Sequence, residues 1–172
     1  MATLRKGKCY TNLTRSYTRK SKFKKKGFIK AVPTNKIVRY EMGDGKKTFP
    51  CKVALISRGD IQLRHNAIES ARLVVNRSIQ ERLGNNYYLQ VNIYPHHILR
   101  ENKMLSGAHA DRLQTGMAHS FGKAIGLAAQ VKRGKSVLTA SVNKEHIEIA
   151  RESLHKATSR LPGKYSIEIT SS

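Results

Sequence analysis

Apolar positions along this chain follow two rhythms, one of period two and one near 3.6, and each marks a different kind of element. In "YYLQVNIY", Leu89, Val91 and Ile93 alternate with Gln90 and Asn92, as a strand with one buried face requires. "NKIVRYEM" and "CKVALIS" are shorter β-rich runs, separated by the turn signal "GDGKK" from Gly43 to Lys47. Asp60 is expected to open a helix, because Ile68, Ala71, Val75, Ile79 and Leu83 then recur at helical spacing before Gly84 and two asparagines stop it. "LAAQVKRGKSVLTASV" predicts a hairpin turning near Arg133 and Gly134. Asn143 is the expected cap of a second helix, with Ile147, Ala150, Leu154, Ala157 and Leu161 as its apolar stripe. Glu145 and Glu148 fall in its first turn and Lys156 and Arg160 in its last, the order the helix dipole favours. "PGKYSIEIT" closes the chain with a turn and an alternating strand. Strands outnumber helices, and two β-rich halves each carry one helix. The expected fold class is therefore α+β, a two-layer sandwich of mainly antiparallel sheet with two helices, rather than a doubly wound sheet.

Charge changes this picture at the N-terminal end. The 172 residues suit one domain with a real core, but 33 Lys and Arg stand against 11 acidic residues, for a net charge of +22 and a pI near 10.4. A polyanionic partner is the natural counterweight. From Arg5 to Lys30 there is no acidic residue, and Tyr10, Tyr17, Phe23 and Phe28 are interleaved with the cations. A merely solvated tail rarely carries such aromatics, which can stack on bases while the cations meet phosphates. Residues 1–32 are accordingly expected to form a basic RNA-binding arm, with Arg5, Lys6, Lys8, Tyr10, Arg15, Tyr17, Arg19, Lys20, Lys22, Lys24, Lys25 and Lys26 as its rRNA-contacting residues. Residues 33–172 form the single domain. No apolar run approaches a bilayer span, and no signal-peptide core follows the first basic residues, so an intracellular protein without membrane contact is expected. Cys9 and Cys51 lie in no CxxC pair, which signals neither a disulfide framework nor a zinc knuckle.

One stretch fits neither rhythm. "MLSGAHADRLQTGMAHSFGKAIGLAAQ", from Met104 to Gln130, is interrupted by Gly107, Gly116, Gly122 and Gly126, each costing a helix about 1 kcal/mol relative to alanine. Only a short helical turn around Ala110 to Ala118 is expected, within an internal loop spanning 103–126. Lys103, His109, Arg112, His119 and Lys123 stand there among small side chains that let a backbone approach another surface closely.

These residues carry a resemblance. The run "PHHILRENKMLSGAHADRLQTGMAHSFGKAIGLAAQV", Pro95 to Val131, closely resembles the signature of the universal large-subunit ribosomal protein family called L16 in bacteria and L10e in archaea and eukaryotes. "KGKCY", "AVP", "ESAR" and "NKEH" also match, so the resemblance covers nearly the whole chain, and the short end beyond "YSIEIT" looks like the archaeal form. It implies an α+β sandwich with a hammerhead-like β motif, packed on large-subunit rRNA below the central protuberance. It implies further that the loop from Lys103 to Gly122 points toward the peptidyl-transferase centre and tRNA acceptor ends. Lys103, Met104, His109, Arg112, Gln114, Met117, His119 and Lys123 are then the loop residues facing tRNA. The implied partners are 23S-type rRNA, with 5S rRNA a further candidate, A- and P-site tRNA, and neighbouring ribosomal proteins in the cytoplasmic ribosome. No cofactor or metal is implied. The chain departs from the family pattern at His109, Ala118 and His119, and "GKAIG" replaces a commoner "GKPxG". These departures bear on individual loop contacts, above all a phosphate contact at position 118.

Two rival classes meet obstacles in the same residues. An RNA-cleaving enzyme would need an acid, a base and a phosphate clamp from His96, His97, His109, His119, Lys103 and Asp111, yet only proximity along the chain unites them. Metal binding by His96 and His97 is weak, because neighbours on a strand face opposite ways. "GDGKK" lacks the spacing of a phosphate-binding nucleotide loop. A chromatin-like DNA binder is the other class, but no recognition-helix motif is present and the aromatics favour structured RNA. Phe121 is expected to anchor the loop base to the core, while Met117 suits either the core or RNA.

Overall fold

The computed structural model describes residues 5–13, 29, 31–102 and 122–171. Among the described residues, eight strands and two α-helices are arranged as two antiparallel sheets with the helices packed between and against them. The strands are β1 (Glu41–Gly43), β2 (Cys51–Ser57), β3 (Ile61–Arg64), β4 (Tyr88–Val91), β5 (His97–Glu101), β6 (Lys123–Val131), β7 (Ser136–Val142) and β8 (Tyr165–Ser171). The helices are α1 (His65–Leu83) and α2 (Ile147–Thr158). One sheet has the order β1-β4-β7-β2-β8 and the other β3-β6-β5, which bears out the α+β sandwich.

The helical stripes read from the sequence face the core. Ile68, Ala71, Val75, Ile79 and Leu83 of α1 are buried, as are Ala150, Leu154 and Ala157 of α2 and Leu161 just beyond it. α1 packs on β3 and β6, α2 packs on β2, β7 and β8, and the two helices pack on each other. Their seam includes a small polar contact, in which Ser153 Oγ donates to Ser78 Oγ at 3.1 Å and Lys156 Nζ donates to the same oxygen at 2.9 Å. From the sheets, Val53, Leu55, Leu63, Leu89, Val131, Leu138 and Ala140 close the same apolar volume.

Four local expectations are corrected. Asp60 does not open the first helix: Ile61–Arg64 is a strand, paired from Ile61↔Val131 to Arg64↔Ala128, and the helix begins at His65. The ladder with β6 satisfies the backbone that a helix would otherwise have used. The Asp60 carboxylate instead accepts the Arg133 N–H at 2.8 Å. The expected hairpin at Arg133 and Gly134 is not one, because β6 pairs with β3 and β5 whereas β7 pairs with β2 and β4. The chain changes sheets there, and its turn is pinned by the end of β2: Ser57 N–H donates to Lys135 O at 3.0 Å, and Gly134 N–H to Ser57 O at 2.8 Å. Asn143 makes no side-chain cap; it precedes a short 3-10 turn, Lys144–His146, so Glu145 lies before α2 and Arg160 after it. Finally, of "NKIVRYEM" only the end becomes strand, since β1 starts at Glu41.

Candidate nucleic-acid interface

The N-terminal segment is not independent of the domain. Residues Gly7–Tyr10 form one 3-10 turn lying against β3. Gln62 holds it twice, its backbone N–H donating to Thr11 O at 2.9 Å and its side-chain amide to Tyr10 O at 2.9 Å. Arg64 holds it again, donating to Arg5 O at 3.2 Å while its guanidinium lies 5.6 Å from the Tyr10 ring centre. Arg5 Nε donates to Glu101 Oε1 at 2.6 Å, which raises the Arg5 pKa. Burial, and then the Glu101 charge, pushes the Tyr10 phenol up. Of the expected arm contacts, therefore, Arg5 and Tyr10 are engaged with the domain, whereas Lys6 and Lys8 are exposed. Arg15, Tyr17, Arg19, Lys20, Lys22, Lys24, Lys25 and Lys26 lie outside the described residues.

The long internal stretch springs from an antiparallel ladder. β5 and β6 pair from His97↔Ala128 to Glu101↔Lys123, with a register shift between Leu99 and Arg100. Strand therefore begins at Lys123, earlier than the loop end expected at residue 126, and the exposed Lys123 side chain stands at its mouth. Directly before it, Gly122 at φ 97° faces Glu101 across the ladder's end, where a Cβ would lie 2.6 Å from the Glu101 carbonyl carbon. The arm and the loop, read as separate features from sequence, thus meet at Glu101. Lys103, Met104, His109, Arg112, Gln114, Met117 and His119 lie outside the described residues, as do Phe121 and the turn expected from Ala110 to Ala118.

The histidines do not assemble a catalytic or metal-holding group among the described residues. His96 is exposed and tilts against the Tyr94 ring at 4.6 Å between centroids, and Tyr94 stacks on Tyr40 at 5.5 Å. His97 begins β5; burial and the adjacent His96 lower its pKa. His65 is buried at the start of α1, its Nδ1 without a partner, and burial together with Lys36 and Arg64 lowers its pKa. Sequence reasoning missed this aromatic ladder and the docking role of Gln62, Arg64 and Glu101. No periodicity marks the docking residues, since the backbone and side chains they hold are 52, 59 and 96 positions away.

Charge is distributed by face. The helical layer is largely neutralised: Arg72 pairs with Glu69 at 2.6 Å, Arg77 with Glu81 at 2.8 Å, Arg82 with Glu152 at 2.6 Å and Arg151 with Glu148 at 3.4 Å. The surplus positive charge therefore belongs to the loops, the strand ends and the N-terminal segment, where an anionic surface would meet it.

Residues 15–168 match the family described as Ribosomal protein L16p/L10e. Among curated relatives, the large ribosomal subunit protein uL16 of Methanococcus maripaludis strain C5 is 46% identical over 169 residues, covering 97% of this chain and 94% of its own. The protein of the same name from Staphylothermus marinus is 45% identical over 163 residues, 92% of this chain and 89% of its own. That of Archaeoglobus fulgidus is 40% identical over 154 residues, covering 89% and 85%.

Proposed function

The chain belongs to the Ribosomal protein L16p/L10e family, in an archaeal-like form, and from that premise we propose that it is a structural constituent of the large ribosomal subunit. It binds large-subunit rRNA through a basic arm, residues 1–32, and holds out the loop of residues 103–122 toward A- and P-site tRNA. In this role it supports tRNA positioning and subunit assembly, in contact with neighbouring ribosomal proteins and, as a further candidate, 5S rRNA. As a member of a ribosomal protein family found in cytoplasmic ribosomes, it is structural rather than enzymatic.

The observation that carries this reading is the match across residues 15–168, which spans the arm from Arg15 onward and the stretch from Lys103 to Gly122. The geometry supports it from a second side. Glu101 and Gly122, which bound the stretch, are held against each other at the end of the β5–β6 ladder, beside the docked N-terminal segment. Cations such as Arg112 and Lys103 can neutralise phosphate where the loop is expected to reach, and small residues allow close approach to RNA.

Reconstitution tests it. Large subunits lacking the protein are supplied with it, and the rRNA is footprinted with and without tRNA in the A and P sites. Protection of rRNA together with tRNA-dependent changes at the loop is the expected result. Protection of duplex DNA as strong as that of folded rRNA at equal salt would overturn it.

A further inference from the structure

We propose that three loop tips, at the end of the sandwich opposite Gly122 and Lys123, form a second phosphate-binding surface that takes the backbone of ribosomal RNA. The inference rests on the rRNA-binding reading above and adds a location to it. The tips are the β2–β3 corner with Arg58, the β6–β7 turn with Lys132, Arg133 and Lys135, and the approach to β8 with Lys164. All five side chains are exposed. Backbone bonds hold the tips together: Arg58 N–H donates to Lys164 O at 3.0 Å, Ser57 N–H to Lys135 O at 3.0 Å, and Gly134 N–H to Ser57 O at 2.8 Å. Five cations are thereby fixed on neighbouring backbone positions that strand pairing does not let spread.

The one acidic residue among these tips, Asp60, is occupied by accepting the Arg133 N–H at 2.8 Å. None of the five cations forms an ion pair among the described residues, in contrast to the helical face, where Arg72, Arg77, Arg82 and Arg151 all do. Such a concentration of like charge costs the isolated fold stability and becomes favourable when phosphates replace the counterions. A protein partner would ask for an apolar or aromatic centre to the patch. The large apolar side chains exposed among the described residues, Leu13, Val32, Val38, Leu73, Tyr94 and Ile169, belong to none of the three tips. The patch suits a polyanion.

The placement matters because β6 joins both ends of the structure. It runs from Lys123 at the mouth of the long loop to Val131 beside the cationic tips, roughly 26 Å at about 3.3 Å per residue. It is the central strand of its sheet, paired on both sides. An anchor at one end of this strand would therefore hold Lys123 and Gly122 at the other.

The test replaces Arg58, Arg133 and Lys135 together by Gln in the full chain and measures binding to large-subunit rRNA as a function of salt. Each phosphate that is no longer neutralised should lower the slope of log K against log salt by about 0.7 to 0.9, so the triple variant should fall short of the wild-type slope by about two units at a melting temperature no lower than that of the wild type. An unchanged slope in a variant that folds normally, while the wild type binds rRNA, overturns this inference alone. Failure of the wild type to prefer rRNA overturns the reading beneath it. A photoreactive residue at position 132 in reconstituted subunits supplies the second measurement. Crosslinks to rRNA support the proposal, and crosslinks confined to a neighbouring protein overturn it.

Discussion

Arg5 and Glu101, 96 residues apart in the chain, meet through a single Nε to Oε1 contact of 2.6 Å. Because Glu101 is also the last residue of β5, one carboxylate joins the N-terminal segment to the end of the strand that precedes the stretch expected to be a loop. The pair is half in water, so its contribution to global stability is expected to be small and sensitive to salt. Its local effect is larger. Glu101→Gln should accelerate amide exchange from Gly7 to Thr11 while leaving the melting temperature nearly unchanged. Exchange as slow as in the wild type would mean that Gln62 and Arg64 alone retain the segment.

Only part of the expected arm is seen docked on the domain, and the two parts are tested differently. Residues 5–13 are tied to β3 by Gln62 and Arg64, so a truncation that removes them should destabilise the domain. Changing Arg15, Arg19, Lys20, Lys22, Lys24, Lys25 and Lys26 to Gln should instead leave unfolding by urea unaltered and flatten the salt dependence of rRNA binding. If most of the seven meet phosphates, the slope falls by about four to six units. A slope equal to that of the wild type would remove the arm from the rRNA interface.

Glu69 and Arg72 form a less exposed pair, and Glu69 also accepts the Val38 N–H at 3.3 Å. Hydrogen bonding to Arg72 holds the Glu69 carboxyl below its ordinary value of 4.5. A depressed carboxylate stabilises the fold at neutral pH, and that contribution disappears as pH falls through the lowered value. Glu69→Ala should cost about 1 to 3 kcal/mol at pH 7, because it leaves the buried Arg72 guanidinium without its anion. The difference from the wild type should shrink in acid. Urea unfolding of both proteins from pH 7 down to pH 2 measures it, and a difference that does not change with pH would refute the assignment.

His65 works with the opposite sign of charge. Its ring is buried and its pKa lies below the ordinary 6.5, so the unfolded chain takes up a proton there before the folded one does. Stability associated with neutral His65 is thus full above about pH 6.5 and is lost as pH falls toward the lowered value. His65→Gln should flatten that part of the stability profile. An identical profile from pH 7 to 5 in both proteins would show that the half-buried His97 or another group is responsible.

Gly122 and Gly134 both adopt positive φ, at 97° and 81°, but only Gly122 has a backbone in the way of a Cβ; nothing lies within 4 Å at Gly134. Gly134→Ala should cost about 1 to 2 kcal/mol, the conformational penalty alone. Gly122→Ala should cost more, because β5 must also shift. Equal melting temperatures for the two variants would show that Gly122 is not tightly held against Glu101.

What can be read in advance divides along physical lines. The stripes of α1 and α2 are legible because helical burial repeats locally, and Leu89 and Val91 of β4 because strand burial alternates. Ile61–Arg64 reads as helix because its four residues continue directly into α1, and their pairing with Val131 to Ala128 leaves no trace in neighbouring sequence. Arg133–Gly134 carries an ordinary turn signal, but a turn says nothing about whether its flanking strands share a sheet. At the candidate interface, composition exposes the basic segments, whereas the contacts of Arg5 with Glu101 and of Tyr10 with Gln62 are tertiary and become visible only in three dimensions.

β8 is the last strand in chain order, yet its partner β2 begins at Cys51, which pairs with Ser171. A growing chain can assemble β3, β5 and β6 once Val131 has been made, but one side of β2 stays bare until β8 has left the ribosome that is making it. Pairings across such a separation form slowly, and an unprotected edge is open to the wrong neighbour in the meantime. Newly made copies are therefore most vulnerable to aggregation in the interval before residues 165–171 arrive, and a truncation that removes this edge strand turns β2, until then an inner strand of the larger sheet, into its open margin.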